Sequence, residues 1–258
     1  MGSVTYHDGL SILQLIAYLP SFFVAAFLVF RHGIRTSSGF IFLVIFTIVR
    51  VVGAACELAT INNSSRGIYT AAAICSSIGL SPLLMTCSGL LSRVNLSMPS
   101  PVIHPRGFGL YRIVTIVALA LTIAGLTSDM SLEGMTHPNT KVKVGIILYV
   151  VCWVGLCAFL AILSLHRSSI GKGEERALLA VAISAPLLLV RIIYAMLIFF
   201  LANDTFNALD GNNTASLLMS VLEEIAVVFV CLAIGFTLKV RRKEREEEWK
   251  SVPPNEVA

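Results

Sequence analysis

Seven long apolar stretches, separated by short polar ones, account for most of this chain. They lie at about 9–30, 40–61, 68–92, 109–127, 144–165, 177–201 and 216–238. Each is flanked by polar or turn-forming residues. Each comes close to the ~20 apolar residues that a helix needs to cross a hydrocarbon core about 30 Å thick. The pattern predicts an all-α fold, a seven-transmembrane helix bundle over residues 1–238 with a charged tail over 239–258. No segment is long enough for a separate soluble domain. The first stretch has Asp8 rather than a basic region ahead of it and runs on to Arg31-His32-Gly33. It therefore reads as a span and not as a cleaved signal peptide.

Two local features refine the picture of the bundle. The third stretch is rich in small and hydroxyl residues, among them Ala71, Ser76, Gly79, Ser81, Ser88 and Gly89. Small residues let helix backbones approach closely in lipid, so this span is predicted to lie at the centre. Pro20, Pro82 and Pro186 fall inside apolar stretches and predict interrupted or kinked helices.

Composition agrees with a membrane protein. The 258 residues are 56% hydrophobic and 13% charged, against about 25% charged in an ordinary soluble domain. All six cysteines lie within apolar segments and read as packing residues, without zinc-ligand spacing.

The charges that remain are distributed unevenly. Arg31 and Arg35, then Arg93, Arg106 and Arg112, then Arg167, Lys172 and Arg176, and finally Lys239 to Arg245 mark one side. Arg66, Lys141 and Lys143 mark the other. Basic residues collect on the cytoplasmic side. The expected topology therefore places the N-terminus outside and the C-terminus in the cytoplasm. Glycosylation sequons at Asn62, Asn63, Asn203 and Asn212 all fall on the side assigned as outer, and one at Asn95 falls on the inner side and should stay bare. The inner basic block suits anionic lipid. In the tail, Arg242 with Glu246 and Lys243 with Glu247 are spaced for helical pairing.

Charges inside a bilayer are costly, and they mark functional candidates. Arg50, Glu57, Arg191, Glu223 and Glu224 lie within predicted spans. Glu57 follows Arg50 by two helical turns, on a similar face and ~10 Å nearer the outside. Arg191, Tyr194, Glu223 and Glu224 fall at about one depth. Gln14 and Tyr18 form a second polar stripe in the outer half. The expectation is one outer-half cluster containing two arginine–glutamate pairs and one surplus carboxylate, available to a proton, a cation or a ligand. The competing reading is a clamp that only holds helices together.

Other chemistries lack their signatures. The five histidines sit at termini, loops or span ends, so no zinc hydrolase is indicated. No intramembrane serine–histidine arrangement, P-loop or dinucleotide fingerprint is present. The seventh stretch has no central lysine for a retinal Schiff base. The expectation is a protein that is not an enzyme, with no cofactor and no nucleic-acid partner. Its expected partners are the lipid bilayer, a small-molecule ligand and a cytoplasmic protein, in the plasma membrane or an endomembrane.

Several short motifs carry a resemblance. Leu10-Ser11 with Gln14, Tyr18 and Pro20; Arg31-His32-Gly33; Arg50 with Gly53; Arg191 with Tyr194; and Glu223-Glu224 ahead of Gly235 resemble an uncharacterised family of fungal seven-span membrane proteins, known only as a domain of unknown function. The resemblance implies fold and topology and no activity. G-protein-coupled receptors and fungal lipid-translocating exporters are similar in topology alone. Ser92-Arg93-Val94 lacks the acidic neighbour of the receptor motif, and no Asn-Pro-x-x-Tyr follows in the seventh stretch. Three functions remain in view: a receptor-like sensor, a transporter or lipid-handling protein, and a structural or interaction protein.

Overall fold

The computed structural model describes residues 6–33, 39–60, 74–75, 78–128, 139–171, 173–201 and 221–238. Seven α-helices occupy these residues: α1 (Tyr6–His32), α2 (Phe40–Ala59), α3 (Leu80–Asn95), α4 (Pro105–Ser128), α5 (Thr140–Leu165), α6 (Glu175–Met196) and α7 (Leu222–Thr237). A short 3₁₀ turn follows α5 at Arg167–Ser169, and a π-helical turn, Leu197–Leu201, continues α6. There is no strand among the described residues. Five helices (α1, α2, α4, α5 and α6) are long and apolar enough to cross a membrane. Within the described chain α3 and α7 have 16 residues each. The sequons at Asn62, Asn63, Asn203 and Asn212, the charged tail, and the first residues of the third and seventh stretches lie outside the described residues.

Several helices run past the apolar stretches that predicted them, because a helix does not stop where its apolar residues stop. Pro105 opens α4, at a position where a missing N–H costs nothing. Asn139 caps α5, its side chain accepting from the Lys141 amide at 3.3 Å.

The other six described helices form a layer about α3 that runs from α2 through α1, α7, α6 and α5 to α4. Neighbours pack in the order α1–α2, α4–α5, α5–α6, α6–α7 and α7–α1, while α3 touches α2, α4, α5 and α6. Every residue of α3 except Ser92 is buried, so the small-residue span is central. The outer helices present apolar side chains outward. On α1, Ile16, Phe23, Phe27 and Phe30 are all exposed, as a lipid-facing surface requires. Lipid tails are as apolar as these side chains, so helix association must come from close packing and polar contacts. Gly125 and Gly145 provide the close packing between α4 and α5. A Cβ at Gly125 would lie 2.8 Å from the Val142 amide nitrogen, and one at Gly145 would lie 3.1 Å from the Ala118 carbonyl.

The prolines do not interrupt these helices. Pro20 and Pro186 lie inside continuous α1 and α6. Around Pro82 the reason is visible. Its missing N–H leaves the Ile78 carbonyl without its usual helical donor, and the Ser81 hydroxyl donates to that carbonyl at 3.3 Å. Beside Pro186, the Trp153 indole N–H of α5 donates to the Ala185 carbonyl at 2.8 Å.

The connection from α3 to α4 is pinned by the Asn95 amide. Its Nδ2 donates to the Ile103 carbonyl at 2.7 Å, and its Oδ1 accepts from the Ile103 amide at 2.9 Å. Asn95 is buried, so its sequon is sterically closed. We expect Asn95→Ala to lower stability by about 1–3 kcal/mol, because it leaves a buried backbone donor and acceptor unpaired. Thermal unfolding of the purified protein in nanodiscs checks this. An unchanged midpoint would mean that the loop does not depend on Asn95.

Candidate functional site

The candidate site is centred on one carboxylate. Glu224 stands in the first turn of α7, as described, and is buried. Its Oε1 accepts from Arg50 Nη2 of α2, and from Arg191 Nε of α6 at 3.0 Å. The Tyr18 hydroxyl of α1 points at Oε2 from 3.5 Å, the outer limit of a hydrogen bond. One side chain thus joins α1, α2, α6 and α7. Arg50 and Arg191 are themselves buried, 4% and 8% exposed. In a medium that cannot hydrate them, two guanidiniums need an acceptor, and Glu224 serves both.

Aromatic rings complete the surroundings. Phe46 lies one turn before Arg50, with its ring centroid 5.6 Å from the guanidinium carbon and its edge against Tyr18. Tyr194 holds its ring 5.9 Å from the guanidinium carbon of Arg191. Each adds cation–π attraction to a charge that water does not reach. Gly79, just ahead of α3, closes the remaining side. A Cβ there would collide with Arg50 Nη2 and lie 2.8 Å from Glu224 Oε1. The central helix can pack against the ion pair only because this position carries no side chain.

The sequence expectation is corrected in one respect. Arg50, Arg191, Glu224, Tyr18 and Tyr194 do converge, but Glu57 does not join them. Its Oε2 accepts from the Ser11 hydroxyl of α1 at 2.6 Å. There are therefore not two arginine–glutamate pairs, since both arginines bond to the same carboxylate. Glu57 lies two turns outward of Arg50, and the Arg50 side chain reaches α7 instead of running along its own helix. Glu223 is half-buried, turned about 100° from Glu224 around the helix, and its buried Oε2 has no hydrogen-bond partner among the described residues. Arg50 Nε is likewise a buried donor without a partner. Gln14 is buried on α1 between Ser11 and Tyr18.

Sequence reasoning missed three contributors. Ser11 stands three residues before Gln14 and seven before Tyr18, so the same helical stripe pointed to it. Gly79 was visible only as one small residue among several. The third is a second buried ion pair at the opposite end of the bundle. Arg93, at the end of α3, forms a two-point contact with Glu174, just ahead of α6: Nε donates to Oε2 at 3.0 Å, and Nη2 to Oε1 at 2.8 Å. The acid absent beside Arg93 in sequence comes from 81 residues away.

Five apolar membrane-length helices packed with a buried charged node define a multi-pass helical membrane protein. The chain belongs to the family described as Domain of unknown function (DUF7702), which matches residues 4–241 and so covers nearly all of it. No curated protein and no solved structure matches it.

Two glutamates one residue apart are expected to behave in opposite ways. Glu224→Gln leaves two buried guanidiniums without a counter-charge and is expected to cost about 3–5 kcal/mol. Glu223→Gln removes an unpartnered charge and should leave stability unchanged or raise it. Melting temperatures in detergent or nanodiscs separate the two. Equal losses would show that Glu224 has no special place in the fold.

Proposed function

We propose that this chain is a receptor-like sensor of a small polar molecule. The molecule binds in the outer half of a seven-helix bundle whose N-terminus is outside and whose C-terminus is cytoplasmic. The observation that carries the proposal is the combination of a satisfied node with unused groups beside it. Glu224 ties four helices together, while Arg50 Nε keeps a donor and Glu223 Oε2 an acceptor without partners. A buried polar group that lacks a partner costs free energy, so its retention is a reason to look for a ligand. The ligand that suits the pair offers both an acceptor and a donor, as a zwitterionic or polyhydroxylated molecule does. It binds without chemical turnover. The response passes to a cytoplasmic partner through the inner loops or the tail. The fungal origin implied by the sequence resemblance belongs to this same proposal, as does residence in the plasma membrane or an endomembrane.

A second reading is supported by Glu223 and the end of α6. A half-buried carboxylate next to Glu224 and within electrostatic reach of Arg191 is what a proton-coupled transporter or lipid-handling protein would use. The π-helical turn at Leu197–Leu201 lies just beyond Arg191 and Tyr194, and such turns are frequent at functional sites.

Thermal stabilisation by a panel of free amino acids and small polyols tests the sensor reading. A molecule that binds only the folded protein stabilises it by about 2.7 kcal/mol at one hundred times its dissociation constant. We expect at least one class to raise the midpoint of the wild type and to lose that effect in Glu223→Gln. Proteoliposomes should show no uptake of the same molecule. Uptake that is lost in Glu223→Gln would favour the transporter. A panel with no effect on the wild type would leave the node as a structural clamp.

A further inference from the structure

The inner end of the bundle carries a junction that the outer site does not use. His32, the last residue of α1, is buried against α2, α3 and α7. Its Nδ1 lies 3.3 Å from Arg93 Nη1 of α3, and its Nε2 lies 3.1 Å from the Gly235 carbonyl of α7. The Phe40 ring of α2 stacks on it at 5.5 Å, with 14° between the planes. Arg93 is bonded in turn to Glu174 at the start of α6. Gly235 is held tightly as well, since a Cβ there would come within 2.6 Å of Leu28 and 2.8 Å of Phe40. Helices α1, α2, α3 and α7 thus meet at one imidazole, and the start of α6 joins them through Arg93 and Glu174.

The partners fix the protonation state. A guanidinium only donates, so Nδ1 must accept from Arg93. A carbonyl only accepts, so Nε2 must carry the proton and donate it to Gly235. Both contacts are satisfied only by the neutral ring with its proton on Nε2. A second proton would sit on Nδ1, facing a guanidinium, and would abolish that hydrogen bond. The charged groups around the ring are Arg93 from α3, Glu174 from the start of α6, and Arg31 from α1 itself, whose Nη1 donates to the Phe236 carbonyl at 3.2 Å. The ring contacts of α2 and α7 are Phe40 and a backbone carbonyl. Glu174 is engaged by Arg93 through both of its oxygens, so the atom in direct contact with Nδ1 is positive.

We propose that this junction is a proton-operated latch. With His32 neutral it ties the inner ends of α1, α3, α6 and α7 together. Protonation of Nδ1 releases α3 and the start of α6 from α1 and α7. The closed form excludes a proton that the open form accepts near the ordinary histidine value of about 6.5. Closure is therefore fully favoured above that pH and weakens as pH falls below it. One unit below, at pH 5.5, the closed-to-open ratio should have fallen about tenfold. The basic-residue distribution puts this end of the bundle in the cytoplasm, so the latch would respond to cytoplasmic acidification.

Hydrogen exchange of the full chain in nanodiscs tests the latch. Amides of residues 93–98 and 173–178 should exchange about tenfold faster at pH 5.5 than at pH 7.5, after correction for intrinsic rates. His32→Gln keeps a neutral donor and acceptor and should remove the pH difference, while Glu174→Gln should raise exchange at both pH values. Equal wild-type protection at the two pH values would overturn the proposal, as would the same acceleration in His32→Gln. If His32→Gln does not fold, the nitrogen NMR signals of the wild-type ring decide the matter. The latch requires the Nε2–H tautomer at pH 7.5, and finding the proton on Nδ1 would overturn it.

Discussion

Two guanidiniums in a medium that cannot hydrate them must find an acceptor inside the protein, and here they find the same one. Glu224 accepts from Arg50 and Arg191, with Tyr18 at its second oxygen. Each contact comes from a different helix. The requirement to neutralise charge in the bundle interior therefore also sets which helices are neighbours: α1 beside α2 and α7, and α6 beside α7. Apolar packing alone specifies little of this, because lipid competes equally well for apolar side chains. The node gives its end of the bundle a defined arrangement that Leu, Ile and Val faces leave open.

The same physics acts at the inner end through different atoms. Arg93 lies on the otherwise apolar central helix, and Glu174 and His32 are drawn to it. The two junctions share α1, α2, α3, α6 and α7. They leave α4 and α5 as a pair packed through Gly125 and Gly145. The bundle thus has five helices joined by the buried charged groups and a mainly apolar pair set against them, with the Trp153 indole donating to the Ala185 carbonyl across the seam.

The apolar stretches were legible in the sequence because lipid imposes a simple rule: a long run without charge. The centrality of α3 was legible from its small residues. The depth of Arg191 and the adjacent glutamates was legible from helical rise. Partner choice was not. A period of 3.6 puts Glu57 on the same face as Arg50, but it does not say that the Arg50 side chain crosses to α7 or that Ser11 takes Glu57. Interruption of the helices at proline was overread for a related reason: the Ser81 hydroxyl compensates Pro82, and such compensation depends on three-dimensional proximity. Glu174 was not singled out in the sequence, because nothing in its neighbourhood points to an arginine 81 residues away. Sequence patterns gave the elements and their depths, and the pairings between elements came only from the folded chain.

Arg50 and Glu224 depend on each other for the stability of the bundle. A double-mutant cycle with Arg50→Met, Glu224→Leu and the pair together, read by reversible unfolding in nanodiscs, measures this directly. The double variant should lose far less than the sum of the single losses, with a coupling of about 1–3 kcal/mol. Additive losses would contradict it and would mean that the two side chains are neighbours without being partners.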